Sequence, residues 1–251
     1  MIKRAFCFLL ILLTLSNVIT TANSPFIPTP NLTLSNFTYI SDMQKQINEF
    51  TAQEEKAFFV GKYALSLGYD SDSYILQGIL QEISEIQQNK IILSKQLLYW
   101  EEKFEEYPYS TYIWLYLTDT LNYTAPVAAG ILGNIMAEVG GNTLDIQYWF
   151  YSYGNNYYYG ICQWSKDTYP SVRGTDLIFQ CDFLNKTIEY ELNTFGYAYK
   201  KDYKYTDFLA LTSVSEAALM FAQSYERCAK STYLVRQKNA IKAYDYFMGL
   251  Y

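Results

Sequence analysis

One glutamate stands where a general acid would be placed. Glu138 follows a run of small and apolar residues, 128–137, and is closely followed by Gly140 and Gly141. This pattern predicts a helix over 125–138 that the two glycines end. A carboxyl group held at a helix end against apolar neighbours keeps its proton to higher pH, as general acid chemistry requires. The alternative is a solvated glutamate, the commoner situation for this residue type.

The composition narrows the chemistry further. None of the 251 residues is histidine, which excludes a Ser-His-Asp triad, a Cys-His pair and every His-ligated metal site. Acid–base chemistry is left to Glu, Asp, Tyr or Lys. We expect no metal and no cofactor. The formal net charge of −6, without a basic stripe, also argues against nucleic acid as a partner.

A second group of chemically useful residues spans 157–164. Gly160 permits close backbone approach. Gln163 offers paired donor and acceptor groups, and Trp164 offers a flat aromatic face. Together they suit a sugar ring with amide substituents. The alternative is a tryptophan buried after a turn.

The elements that must position these residues are mostly helical. Apolar residues recur at helical spacing, and we predict helices over 41–67, 73–104, 112–121, 125–138, 176–195, 208–220 and 234–247. The aromatic stretch 145–160, with a Gly-Asn-Asn turn, predicts a short hairpin or irregular lobe. The fold class is therefore mostly α with a small irregular or β lobe, preceded by an N-terminal helical hairpin.

The N-terminus predicts secretion. Lys3 and Arg4 precede an apolar run over 5–15, and small residues follow to Ala22, a pattern typical of a signal peptide. A membrane anchor is the alternative, but the run is short for one. We expect a secreted protein, or one in the lumen of a secretory or phagocytic compartment, without membrane association after cleavage. Four glycosylation sequons fit such a route, at Asn31, Asn36, Asn122 and Asn185.

These features divide the chain into four predicted parts: a signal peptide (1–22), a Pro-rich linker (23–40), an N-terminal helical region (41–106) and a C-terminal domain (107–251). Removing the signal leaves three cysteines, enough for one internal disulfide. Cys181–Cys228 is our preferred pair, although spacing does not decide connectivity.

From residue 109 onward the motifs resemble the phage-tail lysozyme family, within the wider superfamily that includes goose-type lysozymes and lytic transglycosylases. Five runs match the family in order. They are Gly-Ile-Leu-Gly-Asn at 130–134 with Glu138, Gly-Ile-Cys-Gln-Trp at 160–164, the Gln, Phe-Leu and Glu-Leu pattern of 180–192, Phe221 with Tyr-Glu-Arg at 225–227, and Arg236 with Ala240.

The resemblance implies a lysozyme-like fold for 107–251 and bacterial peptidoglycan as the substrate. Glu138 would be the catalytic acid between N-acetylmuramic acid and N-acetylglucosamine. Gln163 and Trp164 would line the substrate groove. The remaining expected substrate contacts are Tyr158, Tyr159 and Asn134.

The group that works opposite Glu138 is left open by the motifs. Asp145 is the nearest candidate and Asp167 the next. An inverting hydrolase needs its second carboxylate about 6.5–9.5 Å from the acid, and a retaining one about 5–5.5 Å. The substrate's acetamido group or its 6-hydroxyl are the alternatives, and attack by the 6-hydroxyl would make the enzyme a lytic transglycosylase.

Two features bear on how far the resemblance extends. Val139 replaces the serine that usually follows the family's acid, which raises a non-catalytic wall-binding module as a further alternative. Glu226 and Arg227 are expected to form a buried structural pair or to brace the groove. The oligomeric state is left open.

Overall fold

The computed structural model describes residues 32–152 and 157–249. The predicted signal peptide and the first part of the linker lie outside these residues. The rest of the linker is ordered structure: a 3-10 turn, Leu34–Asn36, leads into a helix that begins at Thr38 rather than at 41. Phe37 explains the earlier start, because its ring is buried and packs 5.2 Å from the ring of Tyr112.

Two long helices form the predicted N-terminal hairpin. Helix α1 (Thr38–Ser66) and helix α2 (Tyr74–Glu106) pack along each other. Between them the chain turns at Gly68, whose φ of +86° suits glycine, and Ser73 caps α2 by accepting from the Leu76 amide. The helical hairpin is therefore confirmed.

The hairpin docks on the C-terminal domain through aromatic side chains at the end of α2. The rings of Trp100 and Trp114 both stack on Phe247, with centroids 6.3 and 4.7 Å away. The Tyr99 hydroxyl donates to the carbonyl oxygens of Tyr246 and Phe247. The hydrophobic core therefore continues across the predicted boundary at residue 106.

The C-terminal domain contributes six further helices in the described part of the chain. They are α3 (Pro108–Leu115, continued by a π-helical turn, Tyr116–Thr120), α4 (Ala125–Val139), α5 (Leu177–Phe195), α6 (Tyr205–Leu209), α7 (Val214–Ser224) and α8 (Tyr233–Met248). Helix α4 is the central one: its residues from Val127 to Met136 are buried, and α7 and α8 pack against it.

Two glycines let these helices approach closely. A Cβ atom at Gly130 would lie 2.7 Å from backbone atoms of Ala217 and Ala218 in α7, and one at Gly133 would lie 2.3 Å from the Ala240 nitrogen in α8. The small residues of α4 therefore fix its distance from both neighbours.

A small antiparallel sheet forms the predicted lobe. Strands β1 (Tyr151–Ser152), β2 (Tyr158–Tyr159) and β3 (Trp164–Ser165) pair in the order β1-β2-β3, with Tyr151 opposite Tyr159 and Tyr158 opposite Ser165. The mostly α class with a small β lobe is confirmed.

One predicted helix was wrong in extent. The segment 208–220 is split between α6 and α7, because the Ser213 hydroxyl accepts from the Glu216 amide and starts a new helix. Within the described ranges, no helix combines the length and apolar character that a membrane span requires.

Candidate active site

Helix α4 brings Glu138 to the edge of the core in its last turn. Val139 beside it is buried, and the Gly140 amide continues the helical bonding to the Met136 carbonyl before the chain turns away. The Glu138 side chain retains 20% exposure, so its carboxylate is both anchored and reachable. Glu138 Oε1 accepts a hydrogen bond from Arg236 Nη2 within an ion pair.

Arg236 comes from α8 and is almost fully buried, with its side chain 5% exposed. Its Nη1 donates to Asn134 Oδ1 at 3.1 Å and its Nε to Thr232 Oγ1 at 3.2 Å. These contacts fix the guanidinium group against Glu138.

The expected substrate contact of Asn134 does not fit its position, because this side chain is completely buried. Its Nδ2 donates to the Gly130 carbonyl at 2.8 Å and to the Ala218 carbonyl at 3.0 Å. Asn134 therefore ties α4 to α7 and orients Arg236, rather than facing solvent.

Glu226 lies in the turn after α7 and is the second acidic residue beside Glu138. Its Oε1 atom is buried and has no hydrogen-bond partner among the described residues, while the Cys162 thiol lies within electrostatic range of the carboxyl group. Burial, and after it the charge of Glu138, raise the pKa of Glu226 well above its usual range.

One wall of the site is built by the turn between β2 and β3. Gln163 takes a φ of +47° and its Nε2 donates to the carbonyls of Phe150 and Gly160 at 3.1 and 2.9 Å. Its Oε1 accepts from the Ser152 hydroxyl. The side chain of Gln163 thus closes the β lobe, and most of its bonding capacity is used within the protein.

Another wall of the site is formed by Trp164 and the residues that pack beyond it. The Trp164 indole N–H donates to the Tyr225 hydroxyl at 3.1 Å. Beyond it, Glu191 accepts from Tyr169 and pairs with Arg227. Burial and the bond to Glu191 raise the pKa of Tyr169 to about 12, so Tyr169 remains a hydrogen-bond donor.

These walls enclose a cavity of about 650 Å³, large enough for small-molecule recognition. The described residues that line it are Glu138, Ser152, Tyr157, Tyr158, Cys162, Gln163, Trp164, Ser165, Thr168, Tyr169, Glu191, Tyr225, Glu226, Arg227, Cys228 and Ala229. Hydroxyl, amide and charged groups predominate, as a polar ligand such as a sugar requires.

Four of the residues predicted from the sequence meet in this cavity: Glu138, Gln163, Trp164 and Tyr158. Tyr159 does not, because its ring is buried and its hydroxyl donates to the Thr175 carbonyl.

Both predicted partners of Glu138 are absent from the lining described above. Asp145 is exposed on the loop after α4 and interacts electrostatically with Tyr107 and Tyr109. Asp167 is exposed and accepts from the Tyr157 hydroxyl at 2.8 Å. The acidic residue that the structure brings to Glu138 instead is Glu226.

Of the two expectations for Glu226 and Arg227, the contacts fit bracing of the groove, because Arg227 pairs with Glu191 and not with Glu226. Arg227 has a φ of +49°, which lies in the left-handed region, and the two adjacent side chains have different neighbours. Arg227 binds Glu191 and braces the cavity wall. A glutamate directly after an apolar helix was the available signal for Glu226, but it did not identify the partner.

The predicted Cys181–Cys228 disulfide is also wrong. Cys162, Cys181 and Cys228 are free thiols. Cys181 is buried in α5, where burial raises its pKa. Cys228 instead donates to the Ala222 carbonyl and accepts from the Thr232 hydroxyl. Across 32–152 and 157–249, no cluster of His, Cys, Asp and Glu has the arrangement of a metal site.

Comparison with known proteins adds one finding to this geometry. The sequence profile of the family described as phage tail lysozyme matches residues 109–247. No curated protein and no solved structure gives a significant match. The matched span is more than half of the chain and includes Glu138, Glu226 and Arg236. The chain therefore belongs to the phage tail lysozyme family, which places it among peptidoglycan-lytic, lysozyme-like enzymes.

Proposed function

We propose that the protein is a secreted muramidase that hydrolyses the β-1,4 bond between N-acetylmuramic acid and N-acetylglucosamine, with Glu138 as the general acid. The observation that carries the proposal is the position of Glu138: its carboxyl group reaches a polar cavity of about 650 Å³ while Arg236 holds it from behind. A fixed, reachable carboxyl group in a shaped polar cavity is the arrangement that glycoside cleavage requires.

In this mechanism Glu138 gives its proton to the oxygen that bridges the two sugars. The bond to the anomeric carbon breaks as the proton moves, and positive charge develops on the sugar ring. Arg236 then balances the carboxylate left on Glu138. Water adds to the anomeric carbon and returns one proton to the site.

Walls of the cavity supply sugar recognition. Tyr158 offers an aromatic ring, Thr168 and Ser165 offer hydroxyl groups, and Trp164, which is largely buried, backs this wall. Such a mixture binds the apolar faces and the hydroxyl groups of a sugar at the same time. Secretion is part of the proposal because the substrate lies outside the cytoplasm, and the N-terminal pattern of residues 3–22 supports it.

The test is clearance of a peptidoglycan suspension by the purified protein. Glu138→Gln keeps the shape of the side chain but cannot act as an acid, so we expect activity to fall by about 10²- to 10⁴-fold. Glu189→Gln is the matched control, because Glu189 is exposed on α5 away from the cavity lining. Equal activity of Glu138→Gln and Glu189→Gln would refute the assignment of the acid.

One observation favours lytic transglycosylation as a second candidate. Apart from Glu138, the acidic residues that line the described part of the cavity are Glu191, which is paired with Arg227, and Glu226, which has a buried oxygen. Neither Glu191 nor Glu226 therefore offers a free, solvated carboxylate that could take a proton from an attacking water molecule. The substrate's own 6-hydroxyl would then attack the anomeric carbon and return its proton.

Mass spectrometry of the released fragments separates the candidates. Reducing ends identify hydrolysis, whereas 1,6-anhydro ends, lighter by one water, identify transglycosylation. Binding to peptidoglycan with no released fragments would instead identify a wall-binding module. N-terminal sequencing of protein collected from the medium tests secretion, with a new N-terminus near residue 23 expected.

A further inference from the structure

Three ionisable groups meet beside the cavity, two in its lining and Arg236 buried behind Glu138, and their full charges would not balance. Glu138 and Glu226 supply two carboxyl groups, and Arg236 supplies the single guanidinium group that faces both. Because Arg236 is buried, its charge is poorly screened and compensates one carboxylate. The second carboxyl group must therefore hold a proton or remain as an uncompensated charge in a shielded site.

Burial shows where that proton resides in the absence of substrate. Glu138 accepts a hydrogen bond from Arg236 and has contact with solvent, whereas Glu226 Oε1 is shielded and unpaired among the described residues. An unpaired buried oxygen costs less on a neutral carboxylic acid than on a carboxylate. The geometry therefore favours Glu226 as the group that holds the retained proton, while Glu138 pairs with Arg236.

Other titratable and charged groups also face Glu226. The groups within electrostatic range of it are Glu138 from α4, Arg236 from α8, Cys162 from the turn between β2 and β3, and Tyr225, Arg227 and Cys228 from its own turn. Burial raises the pKa of Cys162, of Tyr225 and of Cys228, so these three remain neutral near pH 7. Arg227 is neutralised by Glu191, which leaves Glu138 and Arg236 to control Glu226.

We propose that Glu226 is a positioning residue that shares one proton with Glu138, and that it thereby keeps Glu138 able to act as an acid near neutral pH. This inference rests on the proposed function of Glu138. Two adjacent carboxyl groups resist double ionisation, so the pair retains one proton where a single carboxyl group beside an arginine would lose it.

The proton balance closes over one reaction. The shared proton passes to Glu138 and from it to the bridging oxygen as the glycosidic bond breaks. Both carboxyl groups are then ionised beside one guanidinium group. The proton released by the attacking water, or by the 6-hydroxyl in transglycosylation, returns to the pair and restores its starting state.

The test is the pH profile of kcat/KM in Glu226→Gln. Without its partner carboxyl group, Glu138 faces Arg236 alone, so the alkaline limb should move down by about one pH unit or more, with about a tenfold loss at neutral pH. Activity should recover toward the native value at acid pH. A residue with a merely structural role would reduce activity evenly at all pH values, and an even loss or an unmoved limb would overturn the proposal.

Two controls keep the outcome clear. Glu226→Asp retains a carboxyl group and should keep the alkaline limb near that of the native enzyme, while Glu189→Gln should leave the profile unchanged. Proton sharing would be contradicted if the alkaline limb moved in a folded Glu226→Asp variant and stayed in place in Glu226→Gln.

A measurement on the native protein removes any dependence on how the variants fold. Infrared spectra between pH 5 and 9 should show a protonated carboxyl band that persists at pH 7, and its absence would overturn the proposal. A failure of the proposed function would give a different result. Glu138→Gln would then be as active as the native enzyme, whatever the pH profile of Glu226→Gln.

Discussion

Gly133 is the point of closest approach between α4 and α8, and replacing it with alanine tests how the cavity is held together. A Cβ atom at Gly133 would lie 2.3 Å from the nitrogen and 2.5 Å from the Cα atom of Ala240. Both contacts are with backbone atoms, so no side-chain rotation relieves them. Gly133→Ala must therefore push α8 away from α4.

The size of the effect follows from the contact distances. Ordinary contact begins at 3.4 Å, so the helices must separate by about 1 Å. Overpacking of a core costs about 1–3 kcal/mol, and the higher helix propensity of alanine returns about 1 kcal/mol. We expect a net destabilisation of about 1–2 kcal/mol, which corresponds to a Tm lower by roughly 2–8 °C for a chain of this size.

The same displacement reaches the active site. Arg236 lies one turn before Ala240 on the same side of α8, so its guanidinium group moves relative to Glu138. A misplacement of about 1 Å can cost about 10²-fold in rate. We expect kcat/KM of Gly133→Ala on peptidoglycan to fall by about 10- to 100-fold.

Gly78 provides the matched control. It is exposed in the second turn of α2, and a Cβ atom there would meet nothing within 4 Å. Gly78→Ala should raise stability by about 1 kcal/mol through helix propensity alone and leave kcat/KM unchanged. Thermal unfolding by circular dichroism and clearance assays compare the two variants. If Gly133→Ala matched Gly78→Ala in Tm and in kcat/KM, the close approach of α4 and α8 would not be what positions Arg236.

Three further predictions concern charged groups. Arg236→Met leaves Glu138 and Glu226 without a compensating cation. The free energy of unfolding measured with urea should therefore fall by about 3–5 kcal/mol at neutral pH. The fall should be smaller at pH 5, where protons replace the missing positive charge. Burial, and after it the charge of Glu138, raise the pKa of Glu226 in the folded protein. Its contribution to stability is therefore full below the unfolded-state pKa near 4.5 and is lost as pH rises through the folded-state pKa. Glu226→Gln should flatten the decline of Tm between pH 5 and 8. Glu54, buried in the hairpin, accepts from Lys90 at 2.9 Å, so Glu54→Ala should lower Tm and leave kcat/KM unchanged.

Each of these predictions has a contrary result. An Arg236→Met variant equally destabilised at pH 5 and neutral pH would argue against charge compensation. A native protein whose Tm does not fall between pH 5 and 8 more steeply than that of Glu226→Gln would argue against a protonated Glu226. Glu55→Ala, an exposed neighbour on α1, is the control for Glu54→Ala, and equal Tm values would show that the buried contact contributes nothing.

Helical periodicity predicted most of the fold because it is a local property. The segment 73–104 was predicted as a helix and is observed as Tyr74–Glu106. The prediction of one helix over 208–220 was wrong for an equally local reason. Ser213 caps a new helix there, although the apolar spacing continues through this residue. Apolar spacing therefore locates helices well, but a capping serine overrides it over a few residues.

The acid was predictable and its partner was not. Glu138 is marked by neighbours in the chain, whereas its contact with Arg236 spans 98 positions, and the position of Glu226 depends on how α7 ends. Asp145 was favoured because it is close in sequence, yet the turn after α4 carries it away toward Tyr109. Sequence proximity is a weak guide to a pair that only tertiary packing creates.

The glycine spacing of α4 links the fold to the chemistry. Gly130 admits α7, which ends at Ser224 just before Glu226, and Gly133 admits α8 one turn beyond Arg236. Both charged partners of Glu138 are therefore placed by contacts that a Cβ atom would block. The Gly-Ile-Leu-Gly run that first indicated the family contributes no reacting group, but it sets how closely the helices that carry Arg236 and precede Glu226 approach Glu138.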